Sequence, residues 1–171
     1  MRRKDREMSA EWALEVFDAA PYVTVSMVKP DGTPYGLPLS LARTDEKTFW
    51  FHGAQVGEKI DVLKANPAVC LSAVTKCHPL VGPMDNSFTL EFKSAMAYGK
   101  AELVESVEEK TEGLRAICSR FLPGHMAAFD AALAKSLAHT AVVKITLTAP
   151  PTGKRKQYDS KGVEMKYQRM E

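Results

Sequence analysis

Phe51-His52-Gly53-Ala54-Gln55-Val56-Gly57-Glu58-Lys59 is the place where an aromatic strand runs out, a turn of small residues follows and a helix starts with a lysine in its first turn. Upstream, Thr48-Phe49-Trp50-Phe51 is β-branched and aromatic, as a short strand should be. Downstream, Ile60, Leu63 and the stem of Lys64 form the inner side of a helix over 57–65, which Asn66-Pro67 stops. The free N–H groups of a helix start, the positive end of its dipole and a nearby ammonium together favour an anion, most naturally a phosphate. Gly53 and Gly57 let the backbone come close to such a group. The spacing is not that of a nucleotide P-loop, which has four residues between its glycines and a Gly-Lys-Ser/Thr ending. It also fits a plain strand–turn–helix with a solvated Lys59.

Toward the N-terminus, Ser9 can cap a helix whose apolar face is Trp12, Ala13, Val16, Phe17 and Ala20, ending at Pro21. Residues 22–28 alternate like a strand, and Lys29-Pro30-Asp31-Gly32 is a tight turn. The second arm, 33–42, carries Pro34 and Pro38, which predict an edge strand or a bulge, a common place beside a ligand. Toward the C-terminus, residues 68–76 read as a strand and 77–86, with two prolines and a glycine, as a loop. Residues 87–104 form one long bent strand or two shorter ones, with the bend at Gly99.

Ser106 and Glu109 have capping-box spacing, and Val107, Leu114, Ile117, Cys118 and Phe121 recur at helical intervals. Pro123-Gly124 ends that helix, 126–137 makes a second, and 140–148 is a final apolar strand. The expected fold is mainly β, an antiparallel barrel with peripheral helices, because short turns imply antiparallel pairing and a barrel removes exposed edges.

The 171 residues are expected to form one domain, with 1–8 and 156–171 as tails that make few contacts. A net charge of +2 is too small for the basic footprint of a nucleic-acid binder. No hydrophobic run approaches the roughly 18 residues that cross a bilayer, so no membrane partner is expected. The basic N-terminus lacks the apolar segment of a secretory signal, and Cys70, Cys77 and Cys118 make an odd count without paired spacing, so a cytoplasmic setting with reduced thiols is expected.

Cys70, Cys77 and His78 do not have zinc-ligand spacing, and His125 and His139 do not complete a set, so no metal is expected. Ser40, Ser94, His78 and Asp85 lack the nucleophile elbow of a hydrolase. Lys154-Arg155-Lys156 with Lys161 and Lys166 reads as a solvated tail diluted by acids, and Met84, Met96 and Met126 read as core fillers.

Residues 48–74, with Phe-Trp-Phe-His-Gly-Ala, Gly-Glu-Lys and Leu-Lys-Ala-Asn-Pro-Ala-Val-Cys, resemble the pyridoxamine-phosphate-oxidase-like family of FMN-binding split barrels, most closely its nitroimidazole-resistance branch. The similarity runs over 22–154 and takes in Gly32 to Ser40, the strand around Ser94 and Thr152-Gly153-Lys154-Arg155. The resemblance implies a split-barrel homodimer holding two FMN molecules at its interface. It places Phe51, His52, Gly53 and Ala54 along the flavin, and Gly57 and Lys59 on its phosphate. It brings Pro38, Leu39 and Ser40 near the ring and lets Ser94 reach the phosphate or ribityl chain, with Lys154 approaching the site.

In the nitroimidazole-resistance branch the residue matching His52 lies close to the flavin, which makes His52 the catalytic candidate, placing a substrate or supplying a proton. The implied activity is an FMN-dependent oxidoreductase that passes electrons to a small, flat or nitro-bearing acceptor. The alternative is a module that binds or senses flavin or haem without turnover. Oxidation of the vitamin phosphate itself fits poorly, because the C-terminal Arg-x-His and Arg-Leu-x-Pro elements are absent and Gly162-Val163-Glu164-Met165-Lys166-Tyr167-Gln168 stands there instead.

Overall fold

The computed structural model describes residues 1–81 and 88–166; Met84, Asp85 and Tyr167-Gln168 lie outside that range. The chain runs β1 (Glu7–Met8), α1 (Ala10–Ala19), β2 (Val23–Val28), β3 (Pro34–Leu39), β4 (Ala42–Arg43), β5 (Thr48–Ala54) and α2 (Glu58–Ala65). It continues through β6 (Ala68–Val81), β7 (Phe88–Leu103), α3 (Val107–Phe121), α4 (Phe129–Ser136), β8 (Thr140–Leu147), β9 (Thr152–Tyr158) and β10 (Glu164–Met165).

The Ser9 hydroxyl accepts from the Trp12 N–H, and that of Ser106 from the Glu109 N–H, but the expected capping box is only half made, because the Glu109 carboxylate accepts from Lys144 Nζ at 2.9 Å instead. Among the described residues the ten strands make one antiparallel sheet in the order β3-β2-β6-β7-β8-β5-β4, with β9 on β7 and with β1 and β10 on β9. The prolines of β3 sit on the outermost strand of that order, where a missing N–H costs no ladder bond.

β7 gives the barrel its split. One edge pairs with β6, while the other pairs with β9 over 92–96 and with β8 over 99–103. The change of partner falls at Gly99, where a Cβ would lie 2.8 Å from the Thr146 carbonyl oxygen and 2.9 Å from Ile145 Cγ2. Only glycine allows β8 so close, and the sheet curls without closing: a mainly β, antiparallel split barrel with peripheral helices.

Successive side chains of a strand face opposite ways, and β5 uses both sides. Phe49 and Phe51 enter the barrel core with Val25, Leu71, Ile145 and Phe17 of α1, whose ring meets Phe49 edge-on at 5.4 Å. Trp50 points outward into a second core beneath α3, with Val142, Leu114 and Ile117. Gly113 lets α3 settle there, since a Cβ on it would lie 2.5 Å from the Trp50 ring. Arg120 ties α3 to the end of α1 by donating to the carbonyls of Leu41, Phe17, Asp18 and Ala20.

Several expectations are corrected. Residues 77–81 are not loop but the continuation of β6, with Pro79 opposite Leu90; β6 pairs with β2 only over 70–72, so among the described residues its far end has an unpaired edge that tolerates proline. The terminal segments read as tails contain strand residues at 7–8, 156–158 and 164–165: β1 pairs with β9, and β9 with β7 and β10. Arg155 is accordingly buried, not solvated. α4 begins at Phe129 after a 3-10 turn over Pro123–Ala128. In α2 the third inward residue is Val62, and Lys64 is exposed. Val107 and Met96 are exposed rather than core residues.

Candidate anion and cofactor site

The end of β5 and the start of α2 build the site. Gly57 is the N-cap at φ +125°, a left-handed conformation that favours glycine, and no side chain caps the helix there. Its carbonyl takes the first helical bonds, from Ile60 N at 2.9 Å and Asp61 N at 3.2 Å. The amides of Glu58 and Lys59 therefore belong to the group that a helix leaves without intrahelical partners.

Lys59 folds back over the strand. Its Nζ lies 5.4 Å from the centre of the Phe51 ring, and a Cβ built on Gly53 would lie 2.7 Å from the same nitrogen. Among the described residues this ammonium has no ion-pair partner. Partial burial alone pushes its pKa below the ordinary lysine value. A half-buried, unneutralised cation beside free amides is what a phosphate needs, so the residues fit the anion expected there. The other lysine at the helix mouth is committed: Lys29 Nζ is 2.5 Å from the Glu58 carboxylate.

His52 leaves β5 on the Trp50 side, opposite Val142, whereas Phe51, Gly53 and the Lys59 ammonium share the other side. Desolvation of the imidazole, followed by the nearby Lys59 charge, lowers its pKa and leaves it neutral at pH 7. The period-two pattern of the strand was the signal that could have assigned this side. Ala54 ends the strand opposite Thr140.

Pro38, Leu39, Ser40 and Ser94 lie elsewhere. Pro38 begins a cross-strand row through Thr24, Ser72, Met96 and Thr152, and Gly36, Ser26, Cys70 and Tyr98 form the adjoining row. Leu39 pairs with Val23, and Ser40 follows it, exposed. Ser94 stands between Val74 and Lys154, its hydroxyl 3.5 Å from the Lys154 carbonyl. No hydrogen bond or ion pair joins these four residues to Lys59 among the described residues. The two uncharged rows through Pro38 and Gly36 were missed in the sequence, because they appear only when the strands are laid side by side.

A family model described as pyridoxamine 5'-phosphate oxidase matches residues 9–154. The chain belongs to this family. No curated protein sequence matches the chain. Among solved structures, the family fold recurs in a candidate 5-nitroimidazole antibiotic resistance protein of Bacteroides thetaiotaomicron, at 22% identity over 85% of this chain and 82% of that one, with a TM-score of 0.70. It recurs in an FAD and heme binding protein of Mycobacterium smegmatis, at 22% identity over 88% and 73% with a TM-score of 0.76. A flavocytochrome of Azotobacter vinelandii is similar at 22% identity over 94% and 79%, with a TM-score of 0.73. Flavin binding is thus a recurrent property among the proteins that share this fold. Among the described residues no helix is long and apolar enough to cross a membrane, and no cluster of potential metal ligands occurs.

Proposed function

We propose that the protein is a homodimeric flavoprotein that binds FMN without a covalent link and passes electrons from a reduced donor to a small, flat acceptor such as a nitro-aromatic compound. The observation that carries this reading is the half-buried Lys59 ammonium, without an ion-pair partner among the described residues, held against Gly53 at an uncapped helix start. Family membership and the flavin proteins among the structural neighbours supply the ligand class. A monophosphate suits the site better than a diphosphate, because one ammonium is free while Glu58, the next residue, brings a carboxylate that already occupies Lys29.

When bound, FMN supplies the hydride chemistry. The chain's own part is to hold and orient it. Lys59 and the amides of Glu58 and Lys59 take the phosphate, and Phe51, Gly53 and Ala54 lead away from it along β5. Neutral His52, at the same strand end, offers a nitrogen that gives or accepts a proton near pH 7. Pro38, Leu39, Ser40 and Ser94 act from the second copy, whose matching exposed face packs against this one around a two-fold axis.

The test is spectroscopic titration of purified protein with FMN and with riboflavin, which lacks the phosphate. FMN should bind saturably, and Lys59→Ala should weaken it by about 1–3 kcal/mol, as for a hydrogen bond to a charged group, while leaving riboflavin unchanged. Absence of saturable FMN binding refutes the reading. If bound, reduced FMN is reoxidised no faster by a panel of nitro-aromatic acceptors than by oxygen alone, the turnover is refuted and binding stands.

A further inference from the structure

We infer that Gly53 is a positioning residue for the phosphate subsite: its missing side chain is the seat of the Lys59 ammonium. This rests on the proposed phosphate site and assigns how that site is set. Of the glycines flanking the proposed site, Gly57 is required by its own backbone, at φ +125°, and a Cβ there would meet nothing within 4 Å. Gly53 is the reverse. It lies within β5, paired with Ala141, with no left-handed backbone to demand glycine.

A Cβ at 53 would meet only the tip of Lys59, Nζ at 2.7 Å and Cε at 3.5 Å, and no backbone atom within 4 Å. By contrast, Cβ atoms at Gly99 and Gly113 would strike the Thr146 carbonyl and the Trp50 ring. A methyl group at 53 therefore costs the fold little, because the end of a flexible side chain yields. What it changes is where the ammonium rests, and with it the one unpaired charge at the helix mouth. The half-buried seat also strips water from the cation, as the lowered Lys59 pKa records. An ammonium pushed off Gly53 toward solvent regains that water and reaches the phosphate less well.

The experiment measures FMN and riboflavin affinities for the full-length protein, Gly53→Ala, Lys59→Ala and the double variant, with thermal melts alongside. Gly53→Ala should weaken FMN about tenfold, the scale of one impaired charge-assisted hydrogen bond, and leave riboflavin affinity and melting temperature unchanged. In the Lys59→Ala background the same change should have no further effect. An equal loss for both ligands would mean that Gly53 serves the ring or the strand, and an undiminished FMN preference would mean that the seat does not matter; either overturns the inference while the phosphate site stands. A wild-type protein that binds both ligands equally well overturns the phosphate site itself and this inference with it.

Discussion

Over β5 and β8, Trp50 and Val142 lie under α3 and are 1% and 0% exposed, whereas over β6 and β7, Val74, Met96 and Tyr98 remain 51%, 41% and 56% exposed. Both regions belong to the outside of one curled sheet, and both carry side chains that a sheet normally buries. The first has its cover within the chain, with Gly113 shaped to the Trp50 ring and Arg120 bolting the helix to four carbonyls. Among the described residues no helix covers the second; its two cross-strand rows from Pro38 and Gly36 contain no charge, while the neighbouring row of Val74 and Ser94 ends on Lys154. Two uncharged rows can meet their own copies without repulsion, which is what a two-fold interface demands. The difference teaches that one barrel wall is finished by intramolecular packing and the other stays exposed, where the proposed dimer would cover it.

The strongest way to break this contrast is to empty each face in turn. Trp50→Ala should cost about 3–5 kcal/mol, the range for removing a large buried aromatic, and lower the melting temperature by roughly 10 °C for a chain of this size. Tyr98→Ala on the bare face should change the stability of the isolated protomer by less than about 0.5 kcal/mol, as for ordinary surface sites. Equal losses in thermal melts would mean that the two faces are not different in kind.

Met96→Glu sharpens the same contrast at smaller expected cost. In a two-fold dimer the new carboxylate appears twice across one interface, so association should weaken at least about tenfold, read by light scattering over a dilution series, with the far-ultraviolet circular dichroism unchanged. FMN affinity should fall with dilution in parallel, since Pro38 and Ser94 would no longer be supplied by the second copy. A variant that stays dimeric places the interface elsewhere.

What could be read from the chain followed the range of the interactions. Ser9, Ser106 and the Asn66-Pro67 stop act over a single turn and were legible, as were the edge prolines of β3. β9 was not, because its inward positions are Gly153 and Arg155, which carry no apolar alternation; glycine is needed there since a Cβ would lie 2.6 Å from the Trp12 ring. The far half of β6 was hidden by Pro79, which is tolerated because that edge has no strand partner among the described residues. At the site, Gly57 and Lys59 were visible as a helix start. The contact of Lys59 with Gly53 was not, since it depends on the path of a side chain back across the turn.

The site's electrostatics give the subtlest test. Lys59 holds its proton less firmly than an ordinary lysine because burial penalises its charge, so in the free protein it loses that charge at a lower pH. The FMN-over-riboflavin preference should therefore fall on the alkaline side as pH rises through this depressed value, and binding of the phosphate, which stabilises the ammonium, should be accompanied there by proton uptake at Lys59. On the acid side the ligand itself changes: a phosphate monoester loses its second charge below about pH 6, weakening the same contact by about 1 kcal/mol, the scale of a partly exposed ion pair. On the alkaline limb His52 adds no charge, since desolvation and the Lys59 charge both lower its pKa. Measured from about pH 5 to about pH 10, the preference should trace a plateau with two falling limbs. Lys59→Ala should abolish the alkaline limb, and an alkaline limb that survives in that variant would assign the charge to another residue.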